Sequence, residues 1–153
     1  MMSGFREFRL AVIVAAIGLI AVGGSAGDLH LLGPDRMPVR WNEWLADHGS
    51  SAVLVWASWA PGANESLRAA GELREVARRK ELEFVIVAVQ EEFDEAISIL
   101  DGSGAPWLHD RHGTILKEYR LIKVPCLIVV DGQGGVQARL DAIPGALTAW
   151  ESQ

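Results

Sequence analysis

The chain has 153 residues, half of them hydrophobic and 22% charged, with six tryptophans, which describes one packed domain and excludes a disordered chain. A net charge of -6 argues against nucleic acid as the main partner, because such binding depends on Lys and Arg neutralising phosphates. Cys126 is the only cysteine, so no disulfide within the chain and no dithiol cycle can exist, whatever the compartment.

Arg6 and Arg9 precede the apolar run Leu10 to Val22, and the small residues GGSAG follow, in the order of an export signal. Residues 1–27 are read as a signal peptide cleaved after Ala26 or as an uncleaved membrane anchor. Either way the basic flank stays in the cytoplasm and the chain from Asp28 onward lies outside it. Gly, Pro and charged residues dominate Asp28 to Pro38, a composition that predicts a linker and leaves 39–153 as the folded domain.

Trp41, Trp44 and Leu45 have helical spacing, with Gly49 as the stop. Three runs, SAVLVWAS from Ser51, FVIVAV from Phe84 and CLIVV from Cys126, are nearly all apolar and of strand length, as expected for strands covered on both faces of an α/β sheet. Between the first two lies a helix with Leu67, Ala70, Leu73 and Val76 on one face and Arg78, Arg79 and Lys80 at its end, where cations complement the helix dipole. A second helix is expected from about Glu91 to Leu100, with its acids, Glu91, Glu92, Asp94 and Glu95, read as a solvated start. HDRHG, from His109, reads as a surface turn, and Thr114 to Tyr119 as one or two helical turns. DGQGG then predicts a hairpin into a strand with Val136, Ala138 and Leu140 inward and Gln137, Arg139 and Asp141 outward, before a short last helix containing Leu147 and Trp150.

Two stretches resemble a known family. VLVWASWAPGA, Val53 to Ala63, is similar to the LVNFWASWCPPC pattern of the membrane-tethered TlpA/ResA-type thioredoxins of bacterial envelopes, and YRLIKVPCLIVVDGQGGV, from Tyr119, resembles their YGVRGVPTTFLIDKDGRI stretch. The likeness runs over most of Ser51 to Asp141 and implies a thioredoxin-like fold, a central mixed sheet with helices on both faces. It also implies placement in the periplasm or on the outer face of the inner membrane. In that family a thiolate at a helix start attacks, and a second thiol resolves the mixed disulfide. Ala60 and Ala63 stand at those two positions, and Leu54 stands where relatives have a buried Asp or Asn. The resemblance therefore implies a scaffold without its dithiol reaction.

What the family's surface would leave is a shallow groove. Pro125 matches the family's cis-proline, and Trp59, Pro61 and Gly62 together with Val124 and Pro125 are the expected contacts for a protein or peptide partner, bound through main-chain hydrogen bonds as a strand adds to an edge. Cys126 follows that proline and has two readings: a small apolar residue opening a buried strand, or the single thiol of a thiol-disulfide oxidoreductase-related protein. His109 and His112 lack further His or Cys ligands and are read as a solvated loop, so no metal is expected, and nothing in the sequence calls for a cofactor. Partner binding in a chaperone or assembly role is the first functional expectation, a monothiol enzyme the second and a purely structural tethered domain the third. An uncleaved N-terminal segment would add the membrane as a partner.

Overall fold

The computed structural model describes residues 29–151. The signal or anchor reading of residues 1–27 lies outside them. Among the described residues no helix is long and apolar enough to cross a membrane.

In chain order the elements are β1 (His30–Leu32), β2 (Pro38–Arg40), α1 (Trp41–His48), β3 (Ser51–Trp56), α2 (Ala63–Arg79), β4 (Glu83–Val89), α3 (Phe93–Leu100), β5 (Trp107–Asp110), α4 (Thr114–Glu118), β6 (Cys126–Val130), β7 (Val136–Asp141) and α5 (Ala146–Glu151). The strands form one mixed sheet in the order β2-β1-β5-β4-β3-β6-β7. β3, β4 and β5 run parallel, while β6 and β7 close one side of the sheet antiparallel.

The apolar runs become the central strands because both sheet faces are covered. Ala52, Leu54 and Trp56 of β3 join Ile86, Leu127 and the inward side of α2, where Leu73 and Val76 lie. Val53 and Val55 face the other way, into a cluster with Val85, Val87, Ile128, and Trp41 and Leu45 of α1. Each strand residue alternates between the two cores, so a period-two pattern with no polar face is what burial on both sides demands. Across the second core the buried indole of Trp41 donates from Nε1 to the Tyr119 hydroxyl at 2.8 Å, tying α1 to the end of α4. Burial raises the Tyr119 phenol above its ordinary range, although the Trp41 hydrogen bond to it acts in the opposite direction.

Two expectations are corrected. From Leu29 on, the segment expected to be a linker is a hairpin that extends the sheet: β1 pairs with β2, and Leu32 is in register with His109 of β5. Gly, Pro and charge there belong to a tight turn, in which the Gly33 and Arg36 amides donate to the Met37 and Gly33 carbonyls, while Leu29 and Leu31 are buried. Arg36 fastens this turn to α3, with a 2.6 Å ion pair to Asp94 and its guanidinium 4.2 Å from the centre of the Phe93 ring. The second correction concerns HDRHG. His109 and Asp110 are the last residues of β5 and are buried, and only the residues after them turn. Asp110 is satisfied there by capping α4, its carboxylate accepting from the Thr114 amide and hydroxyl and from the Ile115 amide.

Candidate functional site

The register brings several loops to one end of the sheet. Val55 lies beside Cys126 and Cys126 beside Asp141, so the exit of β3, the entry to β6 and the exit of β7 are neighbours. Trp59, Ile122 and Ile143 stand on those three loops, and they are three of the five large apolar side chains left exposed among the described residues. Exposed apolar surface gathered at one end in this way is the usual mark of a contact site.

The loop after β3 is held by a bracket that sequence reasoning missed. Trp59 is 57% exposed, yet its Nε1 donates to the Gln90 carbonyl at 3.1 Å, so the indole is fixed while much of its surface stays open. Glu91, expected to be solvated, is 7% exposed instead: one carboxylate oxygen accepts from the Ser58 amide and the other from the Ser58 hydroxyl, both at 2.9 Å. Behind it His109, 2% exposed, donates from Nε2 to the Glu91 carbonyl at 2.6 Å. A carbonyl can only accept, so the proton is assigned to Nε2, and Nδ1 has no hydrogen-bond partner among the described residues. Gln90 itself adopts φ +56. Neither that backbone conformation nor the burial of Glu91 leaves a mark in the local sequence.

The sequence-derived site residues fall as follows. Pro61 and Gly62 are exposed, Val124 is half-buried, and Ala60, Ala63 and Pro125 are buried. The Val124–Pro125 peptide is cis. Ala60 and Cys126 belong to one apolar cluster against which Val124 packs, so the turn after β3 and the loop before β6 do meet. Ala63 opens α2: its amide donates to the Ala60 carbonyl at 3.1 Å, and its own carbonyl accepts from Trp56 Nε1 and Ser66 Oγ. Gly62, at φ +83, supplies the left-handed step into the helix.

Cys126 is 9% exposed, and burial pushes its thiol up from 9.0 to about 11, although the nearby charges of Lys123 and Arg139 pull it down. At neutral pH it is a protonated thiol and not a nucleophile. His109 and His112 are not brought together as ligands, and among the described residues no group of three or more His, Cys, Asp and Glu side chains is placed to hold a metal ion. With methyl groups at positions 60 and 63 and a protonated thiol at 126, what this end of the molecule offers is a fixed aromatic surface with exposed Ile122 and Ile143 on the neighbouring loops.

Solved structures share this architecture. A putative thiol:disulfide interchange protein DsbE from Chlorobium tepidum superposes with a TM-score of 0.67 at 20% identity, over 85% of this chain and 92% of the other. The fold is thioredoxin-like. A thiol-disulfide oxidoreductase from Bacteroides fragilis matches with a TM-score of 0.66 at 18% identity, over 84% of this chain and 97% of the other. A secreted Mycobacterium tuberculosis disulfide oxidoreductase matches with a TM-score of 0.60 at 15% identity, over 82% and 92% of the two chains. No protein-family model and no curated protein matches the chain. The thioredoxin-like scaffold is thus combined here with a single buried thiol and no disulfide.

Proposed function

We propose that this is an extracytoplasmic thioredoxin-fold protein of the TlpA/ResA type that binds an extended segment of a partner polypeptide, in a chaperone or assembly role, and performs no dithiol exchange. One observation carries the reading: the Trp59 indole is held open to solvent by the Gln90 carbonyl, directly beside Ala60, where the family resemblance puts the attacking sulfur. Contact surface remains where the reacting atom is absent. A methyl group neither attacks nor leaves, so no disulfide can be exchanged at Ala60 or Ala63. The backbone of Lys123 to Pro125 would supply the main-chain hydrogen bonds that an extended segment needs. The extracytoplasmic placement draws support from the export-signal order of residues 1–27 and from the secreted likeness in Mycobacterium tuberculosis.

With dithiothreitol as reductant, the full chain is expected to leave insulin reduction at its uncatalysed rate. Clear acceleration that disappears in Cys126→Ser would replace this reading with the monothiol one. Trp59→Ala should weaken binding of an unfolded reporter, such as reduced carboxymethylated lactalbumin, by about tenfold, as loss of an aromatic anchor does. Its effect on stability should stay below about 1 kcal/mol, since the side chain is largely exposed. Unchanged reporter binding by Trp59→Ala would sink the proposal.

A further inference from the structure

On the outer side of the loop before β6 lies a cleft of about 250 Å³, floored by Cys126 and Ile128 and rimmed by Arg120, Lys123 and Arg139, with Asp141 the one carboxylate. Three cations around one opening stand out on a chain whose net charge is -6. The cleft shares Lys123 with the stretch proposed above to offer its backbone to a peptide, and its Cys126 directly follows Pro125. Resting on that reading, we propose that the segment bound there is acidic as well as apolar: a carboxylate side chain of the partner enters this cleft and pairs with Arg120 and Lys123, while a neighbouring apolar residue lies on the exposed surface of Ile122 and Trp59.

The present partners of the three cations leave room for this. The Arg120 side chain has no ion-pair partner among the described residues, although an arginine at φ +53 stands where a helix end ordinarily prefers glycine. Lys123 pairs with Asp141 at 2.8 Å, but both side chains are about two-thirds exposed, and such pairs exchange partners at little cost. Arg139 gives one guanidinium nitrogen to the Tyr119 carbonyl at 3.1 Å and keeps further donors. Side chains alternate along an extended segment, so a strand laid on the backbone of Lys123 to Pro125 presents neighbouring residues to opposite sides. Ile122, 102% exposed, offers the apolar contact between them. At physiological salt, exposed charges more than about 8 Å apart are largely screened, so an incoming carboxylate responds mainly to the groups that line the cleft.

The test uses three fluorescein-labelled peptides, Ser-Leu-Glu-Phe-Glu-Ser and its Gln and Lys counterparts, titrated with the full chain by fluorescence anisotropy. The Glu peptide should bind about tenfold more tightly than the Gln peptide in low salt and lose that margin in high salt. Arg120→Gln and Lys123→Gln should each reduce the margin. Asp141→Asn, which removes the competing carboxylate, should widen it, a gain that a misfolded variant cannot imitate. Equal binding of the Glu and Gln peptides, lost in both on Trp59→Ala, overturns the acidic preference and leaves the groove reading standing. If no peptide binds, both fall. Arg120-dependent retention on phosphatidylglycerol vesicles, with no preference among the peptides, would assign the cations to a membrane surface and overturn the proposal.

Discussion

Cys126 keeps its proton beyond the ordinary thiol range because the thiolate would lose its hydration in the apolar cluster that also holds Ala60 and Ile128. The consequence for stability has a definite sign. The folded-state pKa is raised, so its contribution is fully present below the ordinary value of 9.0 and is lost as pH rises toward about 11. At pH 10 the loss should be on the order of 1 kcal/mol relative to Cys126→Ala, measured as the difference between their urea midpoints at pH 7 and pH 10. Equal alkaline slopes in the two proteins would mean that the thiol is solvated. Labelling by a bulky thiol reagent at pH 7 should likewise be slow in the native state and fast in urea. This burial was open to inference from the sequence, since Cys126 begins an apolar strand run. The burial of Glu91 and His109 was not, because both look like ordinary surface residues until the sheet places them behind Ser58.

The turn from Ala60 to Ala63 and the start of α2 form a unit whose geometry can be tested apart from its chemistry. The Ala63 amide reaches the Ala60 carbonyl, a one-turn closure that brings the two alpha carbons within the range a disulfide spans. Ala60→Cys combined with Ala63→Cys, in a Cys126→Ala background, should therefore fold and form an internal disulfide under mild oxidant, read as two thiols lost to Ellman's reagent. Free thiols under those conditions would show that the turn does not have this shape. Among the elements, β3, β4 and β6 were legible because burial on both faces leaves apolar runs, and α2 because its buried side repeats with helical spacing. β5 was not: WLHD is four residues long and half polar, and its two polar members are buried by contacts that come from outside the strand.

At the scale of the molecule, the largest difference from the sequence reading is that the β1-β2 hairpin is part of the sheet. Its three-residue strands carry too short a pattern to separate them from a linker of the same composition, and only the tertiary pairing with β5 gives Leu29 and Leu31 something to bury against. Leu31→Ala should cost about 2–5 kcal/mol, the range for a fully buried leucine, with a matching drop in the urea midpoint. A loss below about 0.5 kcal/mol would mean that the hairpin is only loosely docked. The hairpin also sets the order of events in folding. It is made early in the chain, but it docks on β5 at His109 and that strand ends at Asp110, so it must wait for most of the domain to be synthesised before it can dock. Until then β5 would present a bare edge, the kind of surface that templates pairing between chains. A chain slowed between these two moments is the one most exposed to aggregation, and the cure would be a faster or covalently assisted closure of the first hairpin rather than a better-packed centre.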